Sequence, residues 1–215
     1  MTKTRFLFCW YACLLVVSLM VPSVAPAKHF ETLTQNHFTT GQSLDAGLAQ
    51  AGVQYSAGEG YQSFYPVIRY GLGAFFELGG RAGFSSVDVG SEDKVAEMVG
   101  IDMKYQMIKR TKEIPVDMAI DLGYDTQFVD GKNVSELSFA ALLSRSYPLT
   151  ERGYKITPYG GMEFTSIRGS YFDKTDTNVY VFAGAEWRTT QKAMVYFEVK
   201  AGSNTVGGFG VRFEY

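Results

Sequence analysis

Cysteine is almost missing from this 215-residue chain, and the two that occur, Cys9 and Cys13, both fall in its first segment. Downstream of them there is no thiol to form a disulfide, act as a nucleophile or ligate a metal. Histidine is equally scarce: His29 and His37 are the only two, and both precede the first stretch with strand character. Acid–base catalysis near neutral pH most often recruits histidine, so no Ser-His or Asp-His constellation can be built in the rest of the chain. The sequence reads as a non-enzyme with no cofactor. His29, His37 and Glu31 are too few and too terminal to define a metal site, and none is assigned. Basic charge is not in excess either: 20 lysines and arginines face 22 aspartates and glutamates. That balance excludes the clustered basic face of a nucleic-acid binder. Proline is rare, with 6 residues, and neither a long amphipathic helix nor a low-complexity tract is present.

One long apolar run exists, from Phe6 to Val21, broken only by Ser18. Lys3 and Arg5 precede it and Ala25-Pro26-Ala27 follows, the layout of a secretory signal peptide cut after Ala27, with Ala25 and Ala27 as the small residues read at cleavage. A retained membrane helix would need ~17–25 apolar residues, and this run sits at the short end of that range. A lipid-modified Cys13 would have to close the run, yet Leu14 to Val21 continue it. Loss of Lys3 and Arg5 takes the net charge from −2 to −4. Residues 28–42 then read as a short periplasmic N-terminal segment and 43–215 as a single barrel domain. Mean hydropathy is −0.05, which hides any membrane strand whose apolar residues alternate with polar ones.

Alternation is the dominant pattern. In Val116 to Phe128, one parity holds Val116, Met118, Ile120, Leu122, Tyr124 and Phe128, and the other holds Asp117, Asp121 and Asp125. Side chains alternate faces along a strand, so one face is apolar and the other acidic; a helix would smear both around its circumference. The same period recurs around residues 64–72, 76–84, 99–107, 137–143, 154–164, 179–187, 193–199 and 209–215. Ser43 to Tyr55 is irregular, with a parity switch near Ala49 that implies either a bulge or a wrong strand assignment. The pattern predicts an all-β, up-and-down antiparallel barrel of about ten strands, with eight or twelve as alternatives. Turns are expected at Gly71 to Gly73, 109–115, 148–153 and 189–192 on one end. Connections at 56–60, 89–94, 130–133, 169–177 and 202–205 are expected on the other; the two sets overlap in length, so they support the strand parity more than the orientation.

Parity alone cannot say which face is inside, because a soluble barrel buries its apolar face and a membrane barrel turns it to lipid. Aromatic placement favours lipid. Tyr70, Tyr105, Tyr124, Tyr147, Tyr154, Trp187 and Tyr215 share the apolar parity, as in an interfacial girdle. Glycines at 79, 83, 100, 123, 161, 184, 208 and 210 share the polar parity and leave room for long charged chains. The charged residues expected to face the lumen are Arg69, Glu77, Arg81, Asp102, Lys104, Asp117, Asp121, Asp125, Glu136, Lys155, Glu163, Glu186, Arg188, Glu198, Lys200, Arg212 and Glu214. The three aspartates of one strand lie ~13 Å apart at each step, too far to share a metal, and basic groups such as Lys104 are their expected partners.

The last strand, with Phe209, Val211, Phe213 and Tyr215 alternating against Arg212 and Glu214, resembles the C-terminal signal that outer-membrane proteins present to the barrel assembly machinery. Arg69-Tyr-Gly-Leu-Gly and Phe76 to Phe84 look like a turn and strand common among porin-like proteins. The resemblance implies a bacterial outer membrane, with its lipid and the assembly machinery as partners, and a passive porin-like or structural role. A barrel of this size has an interior that side chains can fill, so a filled or narrow lumen is expected over a cation-preferring pore. An adhesin or ligand-binding barrel acting through loops such as 170–177, for a small solute or surface ligand of unknown chemistry, is the alternative. A soluble periplasmic binding barrel is the second. Replacing Phe213 and Tyr215 with Ser is expected to impair assembly more than export, measured as loss of the folded band with unchanged periplasmic delivery.

Overall fold

A computed structural model describes residues 36–58, 61–89, 92–149, 154–169 and 175–215. The expected signal segment with Ala25 and Ala27, His29, and residues 170–174 of the expected binding loop lie outside the described residues. The strands are β1 (Ala49–Gly58), β2 (Tyr61–Gly73), β3 (Phe76–Val89), β4 (Glu92–Ile108), β5 (Asp117–Val129), β6 (Lys132–Ser144), the two-residue β7 (Tyr147–Pro148), β8 (Lys155–Gly169), β9 (Asp176–Arg188), β10 (Ala193–Ala201) and β11 (Thr205–Glu214). Each long strand pairs antiparallel with the next, β6 pairs with β8 past the stub β7, and β1 pairs with β11. The result is a closed up-and-down barrel of 10 strands, in which every long strand is paired on both sides.

The faces are arranged inside out relative to a soluble protein. Ile68 is 59% exposed while its neighbour Arg69 is 4% exposed. Phe64, Ile101, Leu122, Leu137, Phe164, Phe197 and Phe209 are likewise half exposed, whereas Lys104, Asp121, Lys200 and Arg212 are buried. A soluble barrel would require the opposite, so the periplasmic binding-barrel alternative does not stand. The 13 residues of β5, at ~3.3 Å each and tilted by ~45°, rise ~30 Å, the thickness of a bilayer's hydrocarbon core. Among the described residues, polar side chains turn outward near the ends of this band: Arg145 toward the end that carries both termini of the barrel, and Gln62, Glu97, Arg168 and Thr177 toward the other.

Two turns show how local chemistry ends the strands. β5 and β6 are joined through Asp130 and Gly131, at φ 50° and 73°, the left-handed pair that suits a tight hairpin. Between β2 and β3, Gly73, Ala74 and Phe75 all have positive φ, at 87°, 49° and 69°. The turn therefore sits beyond the expected Gly71 to Gly73, because Gly71 remains paired. Its N–H donates to the Leu48 carbonyl at 2.9 Å, and its own carbonyl accepts from the Gly47 N–H at 2.9 Å. A Cβ at Gly71 would run into the Asp45 carbonyl, so only glycine lets the incoming chain pass this closely.

The start of the chain departs most from expectation. Residues 43–48 form no strand, so the wall begins at Ala49 rather than at 43, and the parity switch there marks the end of irregular chain. Within the segment expected to lie in the periplasm, Asn36, Phe38, Thr39, Thr40 and Gly41 are buried inside the barrel.

Candidate functional site in the barrel lumen

The lumen is occupied by the chain itself. Glu198 on β10 accepts the backbone N–H groups of His37 and Phe38, each at 2.8 Å, and the Tyr159 hydroxyl at 2.9 Å. The Asn36 side-chain amide donates to the Glu198 carbonyl at 3.1 Å. His37 Nε2 lies 2.9 Å from Glu163 on β8, and its ring lies 5.1 Å from that of Phe182. Phe38 is fully buried among Ala119, Ala140, Leu142, Tyr159, Phe182, Met194 and Tyr196. Its ring occupies the space a side chain at Gly208 would take. Farther along, the N–H of Gly41 donates to Ser144 Oγ at 3.0 Å, that of Ser43 to Gln106 Oε1 at 3.0 Å, and that of Leu44 to Glu77 Oε2 at 2.9 Å. Residues 36–45 thus run from deep in the lumen to the rim from which β1 starts. Wall side chains satisfy backbone groups that would otherwise be buried without partners.

Around this segment most of the wall cations are paired with carboxylates. Arg69 bonds Glu77 through Nε, reaches Asp102 at 2.5 Å through Nη2 and lies 3.8 Å from Asp121. Arg81 forms a fork with Asp125 and contacts Asp102 at 3.4 Å. Lys104 lies 3.0 Å from Glu77 and donates to Thr39 Oγ1 and to the Thr40 and Gln42 carbonyls. Lys200 meets Glu163 at 2.5 Å. Arg188 meets Glu214 at 3.1 Å, and Lys155 approaches Glu186 at 3.9 Å. Arg212 stacks over Tyr196, 4.6 Å from its centroid, with the Gln54 amide oxygen turned to accept from it. Small residues make these contacts sterically feasible. A Cβ on Gly100 would fall inside the Asp125 carboxylate, and one on Gly79 inside that of Asp102.

Every charged residue expected to face the lumen is placed on the inner face. Glu136, Asp102, Asp121, Asp125, Glu163, Glu198, Lys104, Lys200, Arg69 and Arg212 are buried; Arg81, Lys155, Arg188 and Glu214 are half-buried. The aspartates of β5 do not act together. Asp117 accepts from Gln42, Gln106 and the Arg110 N–H, Asp121 faces Arg69, and Asp125 is held by Arg81. Lys104, the expected partner of this column, turns instead to Glu77 and the inner segment. The residues missed in the sequence are those of the inner segment, above all His37, Phe38 and Thr40. The terminal residues of β11 are outward: Phe209 and Phe213 are half exposed, and the Tyr215 N–H donates to the Ala49 carbonyl at 2.9 Å.

The lumen is blocked by side chains at one end and keeps polar space at the other. At the end away from the termini, Tyr61, Ala96, Val129, Val134 and Ile167 form a buried apolar cluster inside the wall. At the terminal end a polar cavity of about 190 Å³ remains, lined by Thr39, Gln42, Glu77, Lys104, Arg188 and Glu214 among others. A second cavity of about 370 Å³ lies beside it, lined by Gln42, Ser43, Leu44, Gln106, Lys109 and Asp117 among others.

A closed antiparallel wall with an apolar exterior and a charged interior defines a transmembrane β-barrel of the outer-membrane type, here with its own chain in the lumen. No protein-family model matches the chain, and no curated protein sequence does. Among solved structures it is similar to a loop-deletion variant of OmpT, an outer membrane protein of Vibrio cholerae. That match has 13% identity and a TM-score of 0.34, and covers 72% of this chain and 54% of that one. The chain therefore spans about half the length of the Vibrio protein. It is also similar to the β domain of the Bordetella autotransporter BrkA, at 11% identity and TM-score 0.49, covering 80% of this chain and 100% of that domain. A third likeness is to the N-terminal β-barrel domain of Pseudomonas aeruginosa OprF, at 11% identity and TM-score 0.36, covering 80% and 100%.

Proposed function

We propose that the protein is a passive, non-catalytic barrel of a bacterial outer membrane, exported by a signal peptide cleaved after Ala27, whose closed interior does not conduct in its resting form. The observation that carries this reading is residues 36–45 bound along the lumen, with Phe38 fully buried. An open pore needs solvated wall charges; here Lys104, Lys200 and Arg212 are each 2% exposed or less and engaged by neighbours. The apolar cluster of Tyr61, Val129, Val134 and Ile167 adds a barrier that water and ions cross only at high cost. The structure of the lumen supports a scaffold more than a route for solute.

The test is electrical and biochemical together. Purified, refolded protein in planar bilayers is expected to show no discrete conductance steps, while the same preparation shows heat-modifiable gel mobility and the native protein fractionates with the outer membrane. Regular unitary steps from folded protein would overturn the closed-lumen reading. Monodisperse solubility without detergent would overturn the membrane assignment itself.

A further inference from the structure

The rim that carries the barrel's termini holds a concentration of cations that the lumen does not use. The connection from β4 to β5 contains Lys109, Arg110 and Lys112, all exposed. It is a built turn: the Thr111 N–H donates to the Ile114 carbonyl at 2.9 Å, and Thr111 Oγ1 accepts from Glu113 and Ile114. Arg110 Nη1 donates to the Ser146 carbonyl at 2.7 Å, which fastens this turn to the segment after β6. There Arg145 stands on the outer face, one step beyond the lipid-facing Leu143, with its guanidinium 5.1 Å from the centre of the Tyr147 ring. Ile114, Tyr147 and Leu149 are each about two-fifths exposed beside these cations. Glu113 is the acid within the turn, and Asp45 lies on the neighbouring part of the rim.

An outward arginine directly below the lipid band cannot lie in hydrocarbon without a large cost. An arginine stacked on an interfacial tyrosine sits instead at the depth of headgroup phosphates. Arginine binds phosphate through a planar fork, and nearby lysines add electrostatic attraction that acts within a Debye length of a membrane surface. The exposed apolar side chains around them match the acyl ends of the same molecule. We infer that Lys109, Lys112 and Arg145, with Tyr147 beneath the guanidinium, form a binding patch for the headgroup of an anionic phospholipid in the leaflet that meets this rim. The patch depends on the transmembrane reading but is indifferent to whether the lumen conducts.

The experiment uses the refolded mature chain in mixed phosphatidylglycerol–phosphatidylcholine micelles, with retained lipid counted by native mass spectrometry. The wild type is expected to keep phosphatidylglycerol in preference to phosphatidylcholine. The triple variant Lys109→Gln, Lys112→Gln, Arg145→Gln should lower that preference by about tenfold. Arg168→Gln, at the opposite rim, should leave it unchanged. Heat-modifiable mobility establishes that each variant is folded. If the triple variant does not fold, the Lys109→Gln, Lys112→Gln pair on the exposed turn is expected to lower the preference by itself. Equal retention of both lipids by the wild type, an unchanged preference in the folded variants, or an equal loss with Arg168→Gln would each overturn the patch. Folded, membrane-extracted protein in all three cases would leave the barrel assignment standing.

Discussion

Replacing Glu198 with alanine is expected to release the inner segment from the lumen without opening the wall. The Glu198 carboxylate gathers the N–H groups of His37 and Phe38 and the Tyr159 hydroxyl, all in a space shielded from solvent. Hydrogen bonds to a charged acceptor are worth ~1.5–3 kcal/mol each, and a buried donor left without a partner adds its own penalty. A combined loss of ~3–4 kcal/mol corresponds to a rise in local opening of about 10²- to 10³-fold. The measurement is amide hydrogen exchange: the His37, Phe38 and Gly41 amides should lose protection by that factor, while the pairing of β10 with β9 and β11 stays protected. Glu198→Gln keeps one accepting oxygen and should fall between alanine and wild type. Unchanged protection at residues 37 and 38 would show that packing of Phe38 and the His37–Glu163 contact hold the segment unaided.

The wall was legible because it obeys one rule for most of its length. In β5, Ile120, Leu122 and Tyr124 alternate with Asp121, Gly123 and Asp125, and a one-residue error in register would put carboxylates into lipid. Strand ends were less legible. β3 and β4 continue to Val89 and Glu92, so a stretch read as a loop is mostly hairpin. Pairing there is made by backbone groups that any sequence supplies. The Asp130-Gly131 hairpin is the exception, since its dipeptide is itself a turn signal.

The inner segment carried no periodic signal at all. It is bound largely through backbone N–H groups, which leave no mark in a hydrophobicity pattern. What could have exposed it is an imbalance on the inner face: carboxylates there outnumber cations, and a buried carboxylate needs donors. Glu77, Asp117 and Glu198 find part of theirs in residues 37–44. Phe38, a large apolar residue in an otherwise polar stretch, was the other hint. Pairing partners within the wall were also hidden, because side-chain length decides them as much as register does. Lys104 lies opposite both Asp121 and Glu77 in the ladders, and its ammonium goes to Glu77.

Arg69 is where the wall is expected to be least tolerant of substitution. Its guanidinium joins Glu77, Asp102 and Asp121 from three strands other than its own, each of them buried. Arg69→Met keeps most of the volume but leaves these carboxylates with Lys104 and Arg81 alone. Removing one partner of a buried ion pair costs ~3–5 kcal/mol, because the remaining charge stays shielded from water. The denaturant midpoint of the detergent-folded barrel should fall accordingly, read from the heat-modifiable band. A second substitution separates loss of the charge network from loss of packing. Adding Asp102→Asn removes one stranded charge, so the double variant should regain part of the lost stability, although Asp102→Asn alone is destabilising. The two changes should then be non-additive by ~1 kcal/mol or more, within the range seen for directly contacting residues. Strict additivity would mean that Arg69 acts by filling space, and that the charged interior contributes little to holding β2, β3, β4 and β5 together.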